Sequence, residues 1–197
     1  MAADGLKERL LNELAQRIDA QADPAQRDSL HHLSSALFWR FQSEDMHGVL
    51  EFIRQWPEDG PRVHLFNPET TTHGWDSPFT TLMVLCKGIP FCTASVRGEL
   101  NRRNLGIHTI VSSNLATRRS NTGELLDVLP AEQSAQAGIA LESVLFFELT
   151  RQSTPAEIDE LQHTLLDILK EVALVVEDFP QMCERLQEVG RVIADSA

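Results

Sequence analysis

Tyrosine is missing from this sequence, and aromatic residues make up only 6% of its 197 positions. That scarcity excludes the stacked aromatic platforms on which single-stranded nucleic acids are held. Positive charge is also short. Seventeen Lys and Arg stand against 29 Asp and Glu, for a formal net charge of −12, which argues against nucleic acid or an anionic membrane as the main partner. There are three cysteines, Cys86, Cys92 and Cys183, and no CxxC spacing. Free thiols and a reducing, cytoplasmic setting are therefore expected. No apolar run approaches the roughly 20 residues that span a bilayer. The first residues, Met1 to Ile18, carry acids early and have helical periodicity, unlike the apolar block of a signal peptide.

What remains is the composition of a soluble globular protein, 42% hydrophobic and 23% charged. The length suits one domain with extensions, or two small ones. The spacing of Leu6, Leu10, Leu11, Leu14 and Ile18 predicts a first helix, and Leu30, Leu33, Leu37 and Phe41 mark a second. A third has Ser43 as its N-cap and Met46, Val49, Leu50 and Ile53 as its buried side, and it stops at Trp56-Pro57. Residues 1–60 thus read as a helical section, and residues 61–197 as an α+β unit.

Within that unit, Arg62 to Phe66 is a short strand and Asn67 to Pro78 a loop. The apolar run Thr80 to Lys87 suits a central strand. Cys92, Val96 and Leu100 then fall at helical spacing from about Pro90 to Arg103, with Pro90 in the first turn. Strands follow at Ile107 to Arg118, Glu124 to Leu129 and Glu142 to Thr150, the first two joined by the turn signal Ser120-Asn121-Thr122-Gly123. Thr154-Pro155-Ala156-Glu157 opens a long helix. Phe179-Pro180 is expected to break it, leaving Met182 to Ala194 as a last helix. The order β-β-α-β-β-β-α fits an open sheet with helices covering one face.

Two clusters draw functional interest. The bend Lys87-Gly88-Ile89-Pro90-Phe91 joins a buried strand to a helix N-terminus, where backbone N–H groups can receive a carboxylate or phosphate and Lys87 adds positive charge. The structural alternative is that Gly88 supplies a tight turn and Pro90 starts the helix. Arg97, Arg102 and Arg103, with Arg118 and Arg119, concentrate basic charge in an acidic chain. They are candidate contacts for an anionic ligand or a partner surface, against the alternative of a solvated helix face. Cys86, Cys92 and His108 raise thiol catalysis, but buried cysteine ordinarily acts as a small hydrophobe. His31-His32, His47, His64, His73 and His163 have no ligand spacing, so no metal is expected. Trp39, Trp56 and Trp75 read as packing residues.

Several short runs recur in one order: Ser43-Glu44-Asp45-Met46, Val63-His64-Leu65-Phe66-Asn67-Pro68, Gly74-Trp75, Pro90-Phe91, Glu99-Leu100-Asn101-Arg102-Arg103, Leu105-Gly106-Ile107-His108, Arg118-Arg119, Gly123, Glu142-Ser143 and Glu177-Asp178-Phe179. This ordered set resembles the N-terminal region of the large bacterial NAD-specific glutamate dehydrogenases. The resemblance implies an ACT-like, ferredoxin-like antiparallel sheet, of a class that binds amino acids or mediates subunit contacts. The chain departs from the pattern at Lys87-Gly88-Ile89, at Ala94-Ser95 and at Ser112-Ser113-Asn114.

The resemblance implies a non-catalytic regulatory or assembly module, with no cofactor of its own. The parent would oxidatively deaminate L-glutamate to 2-oxoglutarate with NAD. Implied partners are the remainder of the dehydrogenase polypeptide and further copies in a homo-oligomer, with an amino acid as candidate ligand at Lys87 to Phe91. The alternative is a free-standing amino-acid-binding ACT-like sensor. No G-x-G-x-x-G follows a strand in this sequence.

Overall fold

In a computed structural model of the chain, the described residues are 49, 52–57, 60–73, 75–129 and 134–195, with 15, 19, 27 and 31 as isolated positions. The first two helical stripes and the third helix's Met46 and Leu50 fall outside them. The strands are β1 (Arg62–Phe66), β2 (Thr80–Lys87), β3 (Ile107–Arg119), β4 (Leu125–Leu129) and β5 (Ala140–Leu149). The helices are the single turn α1 (Thr70–His73), α2 (Cys92–Arg102) and α3 (Pro155–Asp195).

All five strands pair antiparallel, in the order β1-β2-β5-β3-β4. β2 is an inner strand, which explains why only its last residue, Lys87, is exposed. The unit β2-α2-β3 is a split β-α-β, with β5 lying between its two strands. β1 lies against the outer side of β2, the place a ferredoxin-like sheet gives its last strand, and β4 extends the opposite edge. At the β1 edge the Leu65 N–H is not left bare, because it donates to Gln162 Oε1 of α3 at 2.9 Å.

Side chains alternate between the two sheet faces. On one face Leu82, Val84, Leu145 and Phe147 pack with Val96 and Leu100 of α2 and with Leu161 and Leu165 of α3. On the other, Met83, Leu85, Val111, Leu115, Val144 and Phe146 form a second core. Val49, Phe52 and Ile53 cover it, so residues N-terminal to β1 help to close this second face.

Two helix boundaries differ from the sequence reading. α3 does not break at Phe179-Pro180. It runs for 41 residues with Pro180 inside it. Pro180 is exposed, so its ring meets no packed neighbour, and one lost bond does not end a strongly patterned helix. α2 begins at Cys92, so Pro90 lies in the turn before the helix and not in its first turn. The loop between β1 and β2 contains α1, where the Thr72 and His73 N–H groups both donate to the Glu69 carbonyl. No helix among the described residues is long and apolar enough to cross a membrane.

Candidate functional site

At the β2–α2 bend the Gly88 N–H donates to the Leu141 carbonyl at 2.8 Å, and the Ile89 N–H to the Lys87 carbonyl at 2.8 Å. These bonds consume the N–H donors of Gly88 and Ile89. Gly88 itself is required by a close approach, since a Cβ there would lie 2.6 Å from Leu141 Cγ. Phe91, the N-cap of α2, sits at φ 74° with no side-chain cap and is 67% exposed. An aromatic in the left-handed region, turned to solvent, is an outlier that invites a functional account. Lys87 and Pro90 are exposed, and Ile89 is half-buried against the core.

The helix arginines separate. Arg97 is exposed. Arg102 grips Glu99 through Nε at 2.7 Å and Nη2 at 2.8 Å. Arg103 holds the same carboxylate through Nε at 2.7 Å, and its Nη2 reaches Glu160 at 3.1 Å and Thr164 at 3.0 Å on α3. Arg103 therefore clips α2 to α3 inside the chain. The bonds from Arg102, then those from Arg103, hold the Glu99 carboxyl down to about 2 against the opposing cost of burial. The Glu99 carboxylate is buried, while Arg102 on its outer side is 67% exposed.

The most enclosed charge lies elsewhere. Arg119 makes a two-pronged pair with Glu142, Nε to Oε1 at 2.6 Å and Nη2 to Oε2 at 2.7 Å. Their side chains are only 10% and 3% exposed. Arg119 also donates to the carbonyls of Ile53 at 3.0 Å and Gly123 at 2.9 Å, and lies over the Trp56 ring at 5.5 Å. One guanidinium thus joins the N-terminal cover, the β3–β4 turn and β5. The Trp56 N–H donates to the Gly123 carbonyl at 2.9 Å, and Gly123 sits at φ 82°. The sequence reading grouped Arg119 with the arginines that concentrate basic charge as candidate ligand or partner contacts. A surface arginine and a latch arginine carry the same local signal, and only the alternation that places residues 111, 115 and 119 on one face of β3 could have separated them.

A third cluster rims the same face. His64 stacks on Phe66 at 4.6 Å, Phe66 on His73 at 4.5 Å, and Trp75 meets Phe66 edge-on. Arg62 donates to the Phe52 carbonyl at 2.8 Å and covers its ring. Burial, then the Arg62 and His73 charges, lower the His64 pKa.

The thiol constellation is not assembled. Cys86 and Cys92 are buried together, and their mutual hydrogen bond, ahead of desolvation, pushes the Cys86 thiol far up. His108 stacks on Phe79 at 4.3 Å. Cys86 faces Ser143 while the start of β3 faces Leu149. By the strand rise these lie about 20 Å apart along β5.

With that geometry in hand, comparisons with known proteins place the chain. The family model described as glutamate dehydrogenase, ACT1 domain, matches residues 42–165. The chain is 35% identical over 185 residues to the NAD-specific glutamate dehydrogenase of Halomonas elongata, covering 88% of this chain and 11% of that protein. It is 36% identical over 137 residues to the enzyme of the same name from Pseudomonas aeruginosa, covering 70% of this chain and 8% of that protein. The chain thus spans only a small part of the length of these relatives. No solved structure matches it.

Proposed function

This chain belongs to the glutamate dehydrogenase ACT1 domain family, and on that premise we propose that it serves as a non-catalytic assembly and regulatory module of an NAD-dependent glutamate dehydrogenase. The parent reaction on this reading is oxidative deamination of L-glutamate to 2-oxoglutarate, with NAD bound elsewhere in the polypeptide. A module of this kind acts by contacting two states of the enzyme unequally. The observation that carries assembly over sensing is the bend itself. The space that a Gly88 side chain would need is taken by Leu141, and the Gly88 and Ile89 N–H groups are already bonded within the chain.

Calorimetry of the chain with L-amino acids, 2-oxoglutarate and NAD tests this. No saturable heat is expected. Saturable heat that disappears in Lys87→Glu, with the fold intact by circular dichroism, would overturn it. Gly88→Val is a poor probe here, because a side chain at that position collides with Leu141 whether or not a ligand binds.

A second reading, an amino-acid sensor, draws support from Phe91. Its left-handed backbone and open ring stand beside Lys87 at the N-terminal end of α2. Phe91→Ala should leave ligand heats absent under the first reading, and abolish them under the second.

A further inference from the structure

α3 carries one apolar seam along its whole length, and only half of it has something to pack on. Ile158, Leu161, Leu165, Ile168 and Val172 start a strict alternation of three and four residues. Leu161 and Leu165 are essentially sealed by the sheet and α2, and the next buried place is taken by Leu169, beside a half-buried Ile168. The same alternation then runs through Val175, Phe179, Met182, Leu186, Val189 and Ile193, all between 55% and 69% exposed. A contiguous patch of this kind marks an interaction site. The covered half of this repeat lies on the chain's own sheet and α2. A 3.5-residue repeat left uncovered over about 19 residues is the surface that a second helix fits by supercoiling along it.

Charge selects which helix. The charged residues flanking this part of the seam include Asp178 and Arg185, both exposed. If two α3 helices run antiparallel with Phe179 opposite Met182 of the second copy, Val175 lies opposite Leu186. Asp178 then lies opposite Arg185, and symmetry makes that contact twice. Sliding one helix by a heptad sets Arg185 against Arg185, or Asp178 against Asp178. A parallel pair in register would face Asp178 with Cys183 and match no charges. The twofold axis of the favoured register passes between Pro180 and Gln181, and Pro180 lies off the seam on the outer side. A self-complementary patch of this sort closes a dimer. We propose that the C-terminal half of α3 is an antiparallel coiled-coil surface for a second copy of this chain. Its role within an enzyme rests on the assembly reading above, but the association itself is a property of the seam.

Sedimentation equilibrium of the 197-residue chain at physiological salt should give twice the 22.1 kDa chain mass. Leu186→Glu should give a monomer of unchanged helix content. Asp178→Arg should raise the dimer dissociation constant about tenfold, from two like-charge contacts, and the double exchange Asp178→Arg/Arg185→Asp should restore it. A chain that is monomeric throughout would overturn the proposal and leave the seam to another segment or partner. So would a dimer indifferent to Leu186→Glu, or an Asp178→Arg defect that the double exchange does not rescue. Amino-acid heats in calorimetry would overturn the assembly reading without touching this result.

Discussion

The two faces of the sheet are sealed by opposite means. α2 and α3 cover theirs with long apolar stripes, and the charges there, Glu99 with Arg102 and Arg103, sit at the rim. Among the described residues, Val49, Phe52 and Ile53 cover the other face, and they are tied down by charge: Arg119 on Glu142 and on the Ile53 carbonyl, and Arg62 on the Phe52 carbonyl. A stripe that buries enough apolar surface depends less on its ion pairs, and here one of the two arginines is 67% exposed. Enclosed charge-assisted hydrogen bonds of this kind fail badly when one partner is removed.

The largest expected effect follows from that difference. Glu142→Ala leaves the Arg119 guanidinium buried without its counter-charge, and should cost about 3–5 kcal/mol in urea unfolding. The paired replacement Arg119→Met/Glu142→Leu should recover part of the loss. Should Glu142→Ala prove no more costly than Glu99→Gln, the contrast between the faces fails. Gly123→Ala attacks the same latch through the backbone. It combines φ 82° with a Cβ 2.5 Å from the Trp56 carbonyl oxygen, for an expected cost of about 1–3 kcal/mol by thermal melting.

On the other face, Glu99→Gln should cost only about 1 kcal/mol, since Arg102 is 67% exposed and Arg103 keeps Glu160 as a second partner. This carboxyl also has a defined pH signature. Its folded pKa of about 2 lies below the unfolded value of about 4.3, so the unfolded chain binds the proton more tightly. The stability it contributes is complete above the unfolded value and is lost as pH falls toward 2. Glu99→Gln should flatten that part of the acid limb in denaturant midpoints.

The smallest effect belongs to His64. Its folded pKa is lowered, so protonation favours the unfolded chain and stability declines as pH drops below about 6.5. More than a third of its surface is open, which keeps the effect modest. The melting difference between pH of about 7.5 and about 5.5 should shrink in His64→Gln.

Much of the fold was legible because its signals are local. The continuous apolar run of β2, the three-and-four spacing of α2 and α3, and the Thr154-Pro155 start each appear within a few residues. Pro180 misled for the same reason. A proline is a strong local stop signal, but its cost depends on what its ring meets, and that depends on where the helix lies. Phe91 was legible as a member of the bend, but its left-handed backbone was not, since nothing in Gly88-Ile89-Pro90 demands it.

The sequence by itself determined the order of elements and the family, through periodicity and through short runs such as Glu99 to Arg103 and Glu142-Ser143. Only the tertiary structure decided what those runs are for. Strand pairing set β5 between β2 and β3, which brought Glu142 to Arg119 across 23 positions of chain. It also put Leu141 against Gly88, and carried half of α3 beyond the sheet with its apolar seam exposed. Register and enclosure are non-local quantities. They depend on which residues lie opposite one another after folding, and no stretch of sequence contains that information on its own.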